Sequence, residues 1–260
     1  MLLEMTATSK ALGKRVSFNV LLPEKKDGVD ALAQGYKTLW LLHGLAGDHN
    51  SWLHNTSIVR YATEYGCAVV MPNADRSWYA DTAYGANYFT FITKELPELC
   101  RSTFKGMSDK REDNIIVGLS MGGYGALKAA LLCPEQYGFC ASLSGSLDIT
   151  RKGRPYDPDL WRANFGFALE SALALADSEH DIFSALRRNH ANKAPFPKLY
   201  MWCGTEDSLL GVNREFHELL NTLGVAHLYE ESEGNHTWHY WDLHVQDALK
   251  YLLTDACAEP

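Results

Sequence analysis

Positive charge is in short supply. The 260-residue chain carries 24 lysines and arginines against 32 aspartates and glutamates, a formal net charge of −8. A nucleic-acid backbone binder needs a basic face, so that class of partner is excluded. Long apolar runs are missing as well, and none approaches the ~20 residues that span a bilayer. The start, Met-Leu-Leu-Glu-Met-Thr-Ala-Thr-Ser-Lys, has an acid at Glu4 and lacks the apolar stretch of a secretory signal. Neither a membrane span nor a secretory leader is expected. The six cysteines, at 67, 100, 133, 140, 203 and 257, are scattered without C-x-x-C spacing. They read as reduced, buried small hydrophobes in a cytoplasmic protein rather than as a disulfide framework. Internal repeats and low-complexity tracts are absent. His236, His239 and His244 do not share one helix face at ligand spacing, so no metal site is expected.

What is present is a core-building chain, 46% hydrophobic and 22% charged, of a length that fits one large α/β domain over residues 1–260. Residues 14–23 alternate apolar and polar through Val16, Phe18 and Val20, as a half-exposed strand does, before Pro23 and a charged turn over residues 24–30. Residues 38–42 and 67–71 are short continuous apolar runs, the pattern of strands buried on both faces. Residues 51–65 predict one helix stopped by Gly66, and residues 87–104 another, kinked by Pro97. Further strands are expected over 114–119, 139–143, 198–203 and 226–230, with helices over 121–133, 213–223 and 239–254. Residues 147–196 break this rhythm with amphipathic stretches near 159–165, 168–177 and 181–190, and read as a cap-like insertion over the sheet edge. Strands alternating with helices indicate a mostly parallel sheet covered on both faces.

The chemistry centres on Gly118-Leu-Ser-Met-Gly122, between the β-branched run Ile115-Ile116-Val117 and a helix-forming segment. A serine on so sharp a strand-to-helix turn has a strained backbone, and glycines two positions either side remove the side chains that would collide. A serine hydroxyl needs a positioned base, and the base a carboxylate that fixes its tautomer. After the strand ending at Cys203 comes Gly204-Thr-Glu-Asp-Ser208; after the strand near Glu230 comes Gly234-Asn235-His236. Ser120, acid and His236 therefore follow in that order, each on a loop after a strand. Two acids compete: the short side chain of Asp207 suits a tight loop and is preferred, with Glu206 as the rival and otherwise a solvated loop charge. His239 and His244 fall in a helical segment and read as packing or surface residues. The backbone N–H groups of Met121 and of Leu45, in the His43-Gly44-Leu45 loop, are the expected oxyanion donors. Trp78, Tyr79, Tyr84 and Trp238 are candidates for an acyl or alcohol pocket, with ordinary packing as the competing reading.

With these residues assembled, the chain resembles the esterase D / tributyrin esterase family of α/β-hydrolases, relatives of the S-formylglutathione hydrolases. The likeness rests on the His43 to Trp52 run, Pro72-Asn73, Phe91-Ile92-Thr-Lys-Glu-Leu-Pro97, the Gly118 to Ala126 run, Gly204-Thr-Glu-Asp207 and Gly234-Asn-His-Thr-Trp-His-Tyr-Trp-Asp242. It implies the α/β-hydrolase fold, Ser120 as nucleophile, Asp207 as acid and His236 as base. It also implies hydrolysis of a small-molecule acyl ester or thioester without a cofactor, often in a homo-oligomer. S-formylglutathione hydrolases usually carry His after Ser-Met-Gly-Gly where this chain has Tyr124, which favours the tributyrin esterase branch. The alternatives are a thioesterase, an acyltransferase like the related mycolyltransferases, and a silent hydrolase fold used for binding.

Overall fold

The computed structural model describes residues 1–23, 35–150, 157–166 and 173–254. The charged turn at 24–30, the Arg151 to Pro155 run, the first half of the predicted 168–177 stretch and Cys257 lie outside the described residues. The described chain builds an eight-stranded sheet from β1 (Leu2–Ser9), β2 (Lys14–Leu21), β3 (Thr38–Leu42), β4 (Ala68–Pro72), β5 (Asn114–Leu119), β6 (Phe139–Leu143), β7 (Lys198–Gly204) and β8 (His227–Ser232). Their spatial order is β1-β2-β4-β3-β5-β6-β7-β8. β2 runs antiparallel to both its neighbours, and every pairing from β4 to β8 is parallel. The parallel strands therefore present their C-terminal ends at one edge, which is where the candidate loops emerge.

The continuous apolar strands are buried on both faces, as their sequence demands. In β3, Trp40 and Leu42 join one core while Leu39 and Leu41 join the other; in β5, Ile116 faces the first and Ile115 and Val117 the second. The second core is closed by α1 (Ser51–Asn55) and α2 (Ile58–Tyr65), with Trp52, Ile58 and Tyr61. The first is closed by α3 (Leu96–Thr103), α4 (Met121–Leu132), α5 (Pro158–Phe165), α6 (Ile182–Ala191) and α7 (Leu210–Thr222). α8 (Trp238–Leu253) returns to the second, through Trp241, Val245 and Leu249. α4 is buried almost all round, between the sheet and the insertion, and apart from Lys128 and the Tyr124 hydroxyl its side chains are apolar.

Three local expectations are corrected. The single helix over 51–65 is two: Thr56 is extended, with φ −140°, its hydroxyl donates to Trp52 O at 2.6 Å, and Asp242 accepts the N–H of Ser57 at 3.1 Å. A β-branched residue that bonds its own preceding turn competes with the helix ladder. The kink at Pro97 is displaced upstream, into a π-turn at Phe91–Glu95 where Leu96 N–H reaches back to Phe91 O. The wider turn accommodates the proline ring, which sits at the start of α3. A strand that the sequence reading passed over, β1, pairs with β2 along its full length; its signal was the alternation of Leu3, Met5 and Ala7 with outward-facing Glu4, Thr6 and Thr8.

Candidate active site

Ser120 stands between β5 and α4 with φ 54° and ψ −119°, a conformation a non-glycine residue adopts only under constraint. The constraint is visible. Its N–H donates to Leu143 O at 3.0 Å, and its carbonyl accepts from the N–H of Tyr124 and of Ser146, both at 3.1 Å. A Cβ on Gly118 would lie 2.1 Å from Gly122 O, and one on Gly122 2.5 Å from Leu42 O, so this turn admits no side chain at either position.

His236 precedes α8, and Asp207 follows β7. The carboxylate of Asp207 is an acceptor only, so His236 Nδ1 donates to its Oδ2 at 2.7 Å. That leaves Nε2 to accept the hydroxyl proton of Ser120, with 2.9 Å between Nε2 and Oγ. The side chain of Asp207 is fully buried. Burial drives its carboxyl upward, but the hydrogen bonds from His236 and from the N–H of Leu209 (2.8 Å) outweigh it and hold the group ionised below its ordinary range. The structure thus brings together Ser120, Asp207 and His236, far apart in sequence, as one hydrogen-bonded chain.

Glu206, the rival acid, is exposed but not idle. Its carboxylate accepts the N–H of Gly234 at 2.6 Å and the hydroxyl of Thr205 at 2.8 Å, and its own N–H donates to Gly234 O at 2.9 Å. The two loops approach so closely that a Cβ on Gly204 would sit 2.0 Å from Gly234 O. Exposed as expected of a loop charge, Glu206 also ties the loop after β7 to the loop of His236. His244 packs, stacked on Trp202 with ring centroids 4.0 Å apart and bonded to Asp247.

Met121 directly follows Ser120, and Leu45 follows Gly44 in the loop after β3. Met121 is the first residue of α4, where a backbone N–H has no intrahelical acceptor. Gly44 packs against the elbow: a Cβ there would lie 3.5 Å from Ser120 Cβ. His43 is buried, and burial lowers its imidazole below the ordinary histidine range. Neutral, it donates Nδ1–H to Gly44 O at 2.7 Å and accepts Ala74 N–H on Nε2 at 2.9 Å.

The four pocket candidates separate. Trp78 and Tyr79 are buried in the core, Trp78 edge-on to Tyr124 at 6.0 Å and Tyr79 donating its hydroxyl to His43 O at 2.9 Å. Both pack in the core, the competing reading that the sequence left open. Tyr84 is 73% exposed. Trp238 is partly buried, edge-on to Trp52 at 5.2 Å and to Trp241 at 5.3 Å, close to the histidine loop. Ser144 was missed. Buried at the end of β6 with φ 46°, it accepts the indole N–H of Trp241 at 3.2 Å, and its hydroxyl helps to lower the Asp207 carboxyl. Its signal was a Ser-Gly-Ser run closing a third strand at the same sheet edge. Among the described residues no group of three or more His, Cys, Asp or Glu is placed to hold a metal ion.

The Esterase family model matches residues 9–252. The chain belongs to the Esterase family. An acetyl esterase of Caldicellulosiruptor saccharolyticus is 33% identical over 260 residues, covering 96% of this chain and 97% of that protein. Two solved Staphylococcus aureus structures are each 31% identical and cover 98% of this esterase-family chain and 99% of their own. They are an S-formylglutathione hydrolase, with TM-score 0.87, and a fluorophosphonate-binding serine hydrolase with bound substrate, with TM-score 0.86. The chain is accordingly a carboxylic ester hydrolase with the α/β-hydrolase fold.

Proposed function

We propose that this protein is a serine carboxylesterase that cleaves short-chain acyl esters through an acyl-enzyme on Ser120. The observation that carries the reading is the unbroken hydrogen-bonded path from Ser120 Oγ through His236 to buried Asp207, set on a strained elbow. In this reading Ser120 Oγ attacks the ester carbonyl carbon while His236 Nε2 takes its proton. Asp207 stays ionised and stabilises the imidazolium. The carbonyl oxygen, now an oxyanion, is held by the N–H groups of Met121 and Leu45, each worth a few kcal/mol by the general behaviour of such donors, roughly 3–4. His236 returns the proton to the departing alkoxide, and water repeats the cycle to release the acid.

The acetyl esterase relative favours a small acyl group. The described parts of 147–196 pack over the first core and act as the cap that shapes substrate choice within one domain. Free cysteines at 67, 100, 133, 140 and 203 suit a reducing, cytoplasmic setting. Likeness to an S-formylglutathione hydrolase keeps thioester hydrolysis as the second reading. Turnover of a p-nitrophenyl ester series from acetate to octanoate, with S-formylglutathione alongside, separates the two. Acetate and butyrate dominate if the ester reading holds; dominant thioester turnover replaces it with the second, and acyl transfer to added alcohols with little hydrolysis replaces it with a transferase.

A further inference from the structure

Lys128 is fully buried on α4, about two helical turns beyond Ser120. Its Nζ donates to Tyr79 O at 3.1 Å, lies 3.1 Å from His180 Nδ1, and stands 4.7 Å from the centroid of the Phe89 ring. One turn earlier on the same helix face, Tyr124 donates its hydroxyl to His180 O at 2.9 Å. A buried ammonium held by a carbonyl and an imidazole is an expensive arrangement. Burial lowers Lys128 to about 8, while Glu179, Asp81 and Cys133 favour its charge, and burial beside Lys128 lowers His180 to about 3. Since the folded value lies below the ordinary 10.5, the unfolded chain binds the proton more tightly. The cost to stability is full below pH about 8 and fades as the pH rises toward 10.5.

What the ammonium holds leads back to the nucleophile. Tyr79 has φ 47° and lies in a loop with Asp75 at 46° and Trp78 at 54°, three non-glycine residues in the left-handed region within five positions. Such a loop persists only where its surroundings over-determine it. Tyr79 in turn donates to His43 O at 2.9 Å, and the adjoining Gly44 packs against Ser120. We propose that Lys128 is a positioning residue for the reaction at Ser120: it locks the strained Tyr79 loop, and through it the His43-Gly44-Leu45 oxyanion loop, to the helix that carries the nucleophile, and latches the insertion to that helix through His180. The proposal rests on the esterase reading.

The test compares wild type with Lys128→Met, Tyr79→Phe and the double variant. A residue that merely held the fold together would lower Tm and activity in parallel. The proposal predicts that at pH 7 Lys128→Met keeps or raises Tm, because an unfavourable buried charge is removed. It predicts also that kcat on p-nitrophenyl acetate falls roughly 10- to 100-fold with KM little changed, the signature of a lost transition-state interaction. Wild-type kcat falls above pH about 8 as Lys128 loses its proton, and the Lys128→Met profile lacks that limb. Tyr79→Phe, which cuts the same path without touching the charge, lowers kcat in the same way, and the double variant is no worse than the poorer single. Tyr79→Phe alone still tests the path if Lys128→Met does not fold. A kcat within about twofold of wild type, a loss that follows Tm, or additive single effects would overturn the proposal. Should wild type turn over no ester or thioester, the esterase reading itself has failed. The rate at which a fluorophosphonate labels Ser120 still reads the effect of Lys128, since its phosphoryl oxygen needs the same donors.

Discussion

Ser120 carries a positive φ that costs on the order of 1–3 kcal/mol, and the two loops facing it are stitched together by Glu206. The division of labour between the neighbouring acids follows from their environments. Asp207 is buried and hydrogen-bonded to the histidine; Glu206 is exposed and bonded to the backbone of the histidine loop. Asp207→Asn is expected to lower kcat by about 10⁴-fold, because an amide donates where the imidazole must donate. Glu206→Gln, which keeps an acceptor for Gly234 N–H, is expected to cost less than about tenfold. Steady-state kinetics on one ester rank them, and the reverse ranking moves the acid role to Glu206. At this scale the candidate site was legible because the proposed chemistry restricts it: a serine, an acid and a histidine that are to act together must each follow a strand. The pocket was not. Trp78 and Tyr79 look the same in sequence as Tyr84 and Trp238, and only the packing shows that the first pair is buried and Tyr84 exposed.

Among the elements, the strands were the easiest to read, because a strand buried on both faces must be almost wholly apolar, as β3, β4 and β5 are apart from Thr38 and Asn114 at their starts. Breaks inside helices were harder. The split between α1 and α2 depends on the Thr56 hydroxyl and on Asp242, 185 residues away from Ser57, a contact that no local pattern announces. The elbow itself yields a stability prediction. An alanine at 118 would place its methyl carbon 2.1 Å from Gly122 O, a backbone atom with no room to yield. Gly118→Ala is therefore expected to destabilise the fold by roughly 3–5 kcal/mol or to prevent folding, read as denaturant midpoint. Gly66→Ala, at a helix end with no neighbour within 4 Å, should cost only about 1 kcal/mol, from its positive φ. Equal effects at the two glycines would show that the elbow is not held as tightly as its contacts indicate.

Across the whole molecule, the parallel strands end at one edge and deliver Leu45, Ser120, Ser144, Asp207 and His236 to it. That convergence, more than any one motif, brings the candidate residues together, and it was legible in the order of the strands. The buried networks beneath were not, because Lys128 reads in sequence as an ordinary helix lysine and Ser144 as a turn serine. The charge state of the acid also sets a stability trend. Asp207 is held below its ordinary 3.8, so it contributes stability above that value which is lost as the pH falls through its folded one. Asp207→Asn is expected to flatten the fall in denaturant midpoint below pH 4 relative to wild type, and an unchanged slope would mean that the carboxylate is not preferentially ionised in the folded state. The most direct measurement of the central claim is peptide mass mapping of the protein quenched in acid during turnover of p-nitrophenyl acetate. One acetyl group on the peptide containing Ser120, absent from Ser120→Ala although that variant remains folded, is the predicted result. An acetyl group on a different residue, or turnover that survives in Ser120→Ala, would contradict it.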